Sequence, residues 1–111
     1  MKDRSVTTVL NEQSVRPDEY AMRILASFAT NEGAANELIG QFAVDWPLER
    51  IAVVDRLIMA LAVSEMMMDD APPVAVVLDE SVELAKVYST EGSGSFVNGV
   101  LSSISKTLIQ R

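Results

Sequence analysis

The residues able to do chemistry in this 111-residue chain are carboxylates and a few bases: sixteen Asp and Glu, nine Lys and Arg, no His and no Cys. Without Cys there are no disulfides, thiolate ligands or thiol nucleophiles. Without His the commonest general base and metal ligand are missing. Carboxylate or lysine chemistry remains, and the spacings do not assemble it. Asp69-Asp70 lacks the further oxygen ligands of a calcium loop. Gly92-Ser93-Gly94 has the small residues of a phosphate cradle, but no Lys follows it and no strand precedes it. The reading is a protein with no catalytic residue, no metal site and no cofactor, whose work is binding.

Phe96 is an aromatic of the kind that stacks on unpaired RNA bases, or else the first core residue of the last helix. Asn98 and Gly99 both cost helix propensity; the expected reason is a close helix crossing at Gly99 and a buried amide hydrogen bond from Asn98. Trp46 is expected as an apolar plug ahead of Pro47, with an exposed hot spot as the other reading. Met66-Met67-Met68 reads as core and helix end, or as an adaptable groove. Charge says more. The chain carries a net −7, and residues 32–91 hold twelve of the acids against only Arg50, Arg56 and Lys86. Residues 1–31 balance, and residues 92–111 have Lys106 and Arg111 with no acid. Nonspecific nucleic-acid binding relies on a basic face that displaces counterions from phosphates. The acidic middle suits a basic protein instead.

Helices must position these side chains. Pro17, Asp18 and Glu19 suit a helix start. Ala21, Leu25, Phe28, Ala35, Ile39 and Phe42, widened by Ile24 and Leu38, then keep a helix period over about 18–43, with Gly33 a candidate kink. Asp45-Trp46-Pro47 breaks it, and Leu48 to Ile51 reads as a short helical turn. Residues 52–68 are apolar on almost every face, which predicts the buried centre of the domain. After Pro72-Pro73 comes a stripe of Val74, Val77, Leu78, Val82, Leu84, Ala85 and Tyr88, then a loop from Ser89 to Gly94. Phe96, Val97, Val100, Leu101, Ile104 and Leu108 give a last helix to about 110. No strand alternation competes. The expected class is an all-α bundle of about four main helices plus short ones. Residues 18–111 form the domain, and residues 1–17 a flexible or partly helical arm. With no apolar run of membrane length and no signal-peptide core, a cytoplasmic protein without a membrane partner is expected.

Two stretches go beyond generic helix. One is Leu48-Glu49-Arg50-Ile51 with Val54-Asp55-Arg56, Leu61-Ala62 and Glu65. The other is Asp79-Glu80-Ser81-Val82-Glu83-Leu84-Ala85-Lys86, the loop Glu91-Gly92-Ser93-Gly94-Ser95, and Phe96-Val97-Asn98-Gly99-Val100-Leu101. Together, over residues 20–104, they resemble the NusB family of bacterial transcription antitermination factors. The last string is the most specific part. A related domain opens some ribosomal-RNA cytosine methyltransferases, but there the string usually starts with Leu or Ile, so the standalone factor is the closer match.

The resemblance implies an all-helical, NusB-like fold of two packed helical subdomains. It implies a partner, the small-subunit ribosomal protein NusE, and a ligand, boxA RNA of ribosomal leader transcripts. It makes Glu49 and Asp55 partner-binding, and puts Phe96, with Lys2 and Arg4, at the RNA. Family members carry two helices and an Arg-rich run ahead of the region matching Tyr20, where this chain has 19 residues. Ala60 and Ser95 stand where basic residues are usual, Gly92 where an acid is, and Asp79 where Asn is. The implied function is an antitermination factor that binds NusE and, weakly, boxA RNA. The alternative is a NusB-fold interaction module, a homodimer included, that has lost RNA binding. Glu49 and Asp55 lie about 240° apart around a continuous helix, so they share an edge only if the helix breaks near Ile51 or Ala52. Asp55 interrupts an apolar run beside Arg56 with no evident partner for a buried carboxylate, and is expected to be at least partly exposed.

Overall fold

The apolar stripes become four helices: α1 Pro17–Phe42, α2 Val53–Met66, α3 Val74–Tyr88 and α4 Ser93–Ile109. They come from a computed structural model that describes residues 17–44, 46, 47 and 50–109. No strand occurs among the described residues, so the all-α class holds. The arm expected at residues 1–17 lies outside the described residues except for Pro17, which already belongs to α1.

Helix α2 is the hub, packing against all three others, while α3 and α4 pack on each other beside it. Ile58, Met59, Ala62 and Val63 of α2 meet Ala35 and Ile39 of α1, Val77 and Ala85 of α3, and Val97, Leu101 and Ile104 of α4 in one core. Its burial is not complete, however. Val53 and Leu57 are well exposed and Val54 partly so, which corrects the expectation of a helix buried on every side. Helix α1 runs through Gly33 as a single helix, the glycine facing open space.

The first half of α1 is turned relative to the stripe read from its apolar residues. Leu25 is exposed and Tyr20 buried. The reason is polar. The Tyr20 hydroxyl donates to Glu65 on α2, and Arg23 pairs with Asp70 while lying 5.5 Å above the Tyr20 ring. The Ser27 hydroxyl donates to the Ser64 carbonyl at 2.7 Å. A helix face seeking these acceptors rotates Leu25 outward. The last helix also begins earlier than expected. Ser93 is its first residue, after Gly92 turns the chain at φ +90°. Gly94 is where α4 closely approaches α3: a Cβ there would meet Lys86 Cγ at 3.3 Å and Val82 Cγ1 at 3.5 Å. Asn98 and Gly99 face outward with nothing within 4 Å of a Gly99 Cβ, so the expected crossing and buried amide are not there.

Candidate partner-binding cleft

The turn between α3 and α4 and the segment leading into α2 enclose a cleft of about 350 Å³. Trp46, Arg50, Ile51 and Ala52 line one side, Thr90 to Ser93 and Phe96 the other, and Asp55 contributes to the floor. Two local features build it. Pro47 accepts a hydrogen bond from the Arg50 N–H, a tight turn, and Ala52 is extended (φ −53°, ψ 137°) before α2 starts. The break required near Ile51 or Ala52 is therefore present. On the other side, positive φ at Gly92 and the first turn of α4 bring Ser93 inward.

Asp55 is the central group, and it is buried, only 5% exposed. This corrects the expectation of a partly exposed side chain. The partner that sequence reasoning did not find is Ser93, thirty-eight residues away, whose hydroxyl donates to Asp55 Oδ2 at 2.9 Å. Ser93 is itself a node. The Thr90 N–H donates to its oxygen at 3.2 Å, and the hydroxyls of Thr90 and Ser89 lie within 2.9 and 3.1 Å. The start of α4 also favours a negative charge through its free N–H groups. Asp55 Oδ1, by contrast, is buried and has no hydrogen-bond partner. Such an atom costs about 1 to 3 kcal/mol relative to one that is paired.

Phe96 is half-buried, packed against the core and lining the cleft wall. Trp46 is 52% exposed and lines the cleft rather than plugging the core. Asp55 and Phe96, given separate roles from sequence, thus share one cleft. Glu49, Lys2 and Arg4 lie outside the described residues. The other features singled out are accounted for by structure. Asp70 pairs with Arg23, and Met66 and Met67 pack on the core at the end of α2. Among the described residues no cluster of three metal-ligating side chains forms, and no helix is long and apolar enough to cross a membrane.

Away from the cleft, burial pushes the Glu65 carboxyl above its ordinary range, Tyr20's hydroxyl offsets part of this, and the Glu80 charge adds to it. Burial, then the bond to Glu65 and its charge, raise the Tyr20 hydroxyl. The pair is therefore a phenol donating to a desolvated carboxyl, a packing device between α1 and α2.

A family model described as the NusB family matches residues 1–106. The transcription antitermination protein NusB of Streptomyces coelicolor is 48% identical over 83 residues, 75% of this chain and 58% of that protein. The NusB of Sorangium cellulosum is 42% identical over 107 residues, 95% of this chain and 76% of its own length. Thermotoga maritima NusB superimposes with a TM-score of 0.75 at 35% identity, covering 94% of this chain and 77% of that one. This chain thus spans under two thirds of its Streptomyces relative, and its match to the family reaches beyond the stretch that carried the resemblance. With the helical order and the strings at Leu48–Glu65 and Asp79–Leu101 in place, the chain belongs to the NusB family.

Proposed function

We propose that this chain acts in transcription antitermination as a NusB-type factor, that its main contact is with the basic small-subunit ribosomal protein NusE, and that boxA RNA adds only weakly. The supporting observation is the cleft: Asp55 and Glu91 outweigh Arg50 there, beside a half-exposed Trp46. Exposed aromatic side chains and desolvated charges are the usual anchors of a protein interface. Glu49 and Asp55 take the partner-facing roles, Asp55 from below the surface rather than on it. Phe96 with Lys2 and Arg4 is the RNA side of the reading.

The second reading, an interaction module without RNA binding, draws on two observations. Among the described residues, those lining the cleft beside Phe96 are net acidic, Asp55 and Glu91 against Arg50. A second groove of about 240 Å³ between α1 and α2 has a mixed lining, Phe28, Val53 and Leu57 with Glu32, Asn36 and Arg56, and the exposed Val53 and Leu57 there are apolar surface that a second copy of the chain could cover. The experiment is a pull-down of NusE with and without boxA RNA, followed by gel filtration of the chain alone. Capture of NusE without RNA supports the first reading. A homodimer that captures neither supports the second.

A further inference from the structure

We infer that the open face of α1 and α2 is a self-association surface, on which a second copy of this chain packs about a two-fold axis parallel to the two helices. The inference commits the second groove to one occupant and stands whether or not NusE is bound, because that groove and the cleft over Asp55 share no lining residue. Tyr20 of α1 meets Glu65 of α2, while Asn36 and Val53 line the groove at the other end, so the two helices run antiparallel. Ile58, Met59 and Ala62 turn one side of α2 into the core, and Val53 and Leu57 line the groove on the other. Leu25, Phe28 and Glu32 follow along α1 at spacings of three and four, which keeps them on neighbouring turns of one side. Val53 is 68% exposed, Leu25 53% and Leu57 48%, so both helices carry apolar side chains where a solvated face would carry polar ones.

Charge selects a second copy over an unrelated partner. Glu32 on α1 and Arg56 on α2 line the same groove, and its 240 Å³ puts them at about one level along the helices. Yet among the described residues neither makes an ion pair within 4 Å, with the other or with any third group. Arg56 is half-buried, and Asn36 Oδ1, one turn from Glu32, is buried with no donor. A two-fold axis parallel to the helices preserves level and exchanges sides, so α1 of one copy lies over α2 of the other. Glu32 then meets the partner's Arg56 while Arg56 meets the partner's Glu32, two pairs from one operation. The guanidinium has donors to spare for Asn36 Oδ1, whose amide turns about a soft terminal torsion. Phe28, Val53 and Leu57 of both copies close an apolar centre between the pairs, with the charges at its rim. A wholly basic or wholly acidic partner would satisfy one of the two charges and repel the other.

The test is sedimentation equilibrium of the full chain over a concentration series, with neither NusE nor RNA present. A monomer–dimer equilibrium with a dissociation constant of about 10 to 100 µM is expected, since a face of two helices is smaller than a standard interface. Glu32→Arg and Arg56→Glu, checked for folding by circular dichroism, should each weaken the dimer at least about ten-fold, because like charges then face each other twice. Mixed in equal amounts, the two variants should pair with each other about as tightly as native copies do, a rescue that a purely structural role of either residue could not produce. Should Arg56→Glu not fold, Leu57→Ser at an exposed position takes its place and should also weaken the dimer. A chain that stays monomeric throughout would overturn the inference and leave the face to another protein or to residues 1–16. A dimer indifferent to Glu32→Arg and to Leu57→Ser would overturn it by placing the contact elsewhere. A monomer that captures NusE in the pull-down would sink this surface alone, and a dimer that captures none would sink the NusE reading alone.

Discussion

The Glu65 carboxyl lies where burial disfavours its charge, and the consequences are measurable at one residue. Burial keeps the Glu65 and Glu80 protons bound to higher pH in the folded chain than at their ordinary value of 4.5. Their contribution to stability is therefore present below about pH 4.5 and lost as pH rises through the raised native values. Glu65→Gln keeps an acceptor for the Tyr20 hydroxyl and removes the desolvated charge. Thermal unfolding should show an unchanged or higher Tm at pH 7 and a shallower decline from pH 4.5 to 7. A larger loss at pH 7 than at pH 4.5 would mean that the charge is favourable. Tyr20→Phe removes the donor and should cost about 1.5 kcal/mol by urea denaturation at pH 7. Asp55 shows the limit of reading single residues. Its position in an apolar run was visible, but its partner Ser93 belongs to the turn before another helix, and a contact across thirty-eight residues leaves no local pattern.

Among the elements, glycine position decides more than glycine number. Gly99 lies in the middle of α4 with open space where a Cβ would stand, so Gly99→Ala should stabilise by about 1 kcal/mol through helix propensity alone. Gly92 sits at φ +90° in the turn that brings Ser93 under the cleft, and Gly92→Ala should cost about 1 to 2 kcal/mol. The pair, measured by denaturant unfolding, should move in opposite directions; destabilisation by Gly99→Ala would point to a contact on that face. Helix boundaries were legible because each apolar stripe is bounded by proline, glycine or capping residues. The facing of α1 was legible from Phe28 onward, where Phe28, Ala35 and Ile39 pack on the core. In its first half Tyr20, Arg23 and Ser27 meet acceptors on or just beyond α2, and a count of apolar letters cannot see them. The capping-rich stretch ahead of Phe96 read as loop through Gly94, because Ser93 serves at once as a capping partner for Thr90 and as the first residue of α4.

For the molecule as a whole, charge and apolar exposure point to association with a protein. The net −7 and the acidic middle of the chain oppose RNA phosphates, so filter binding of boxA RNA to the isolated chain should give constants no tighter than the nonspecific range of roughly 10⁻⁴ to 10⁻⁶ M. Those same charges should speed encounter with a basic partner, an effect that salt screens. Burial of Asp55 changes how its role is best tested: Asp55→Lys would place an ammonium in the core edge and unfold the site, whereas Asp55→Asn keeps the shape and removes the charge. The most direct measurement is calorimetric titration of NusE into the full chain at low and at physiological salt, with Asp55→Asn and the exposed Glu83→Lys alongside. The account predicts a one-to-one complex that weakens with salt, weakens about ten-fold further in Asp55→Asn, and changes little in Glu83→Lys. No complex, or one indifferent both to salt and to Asp55→Asn, would contradict it.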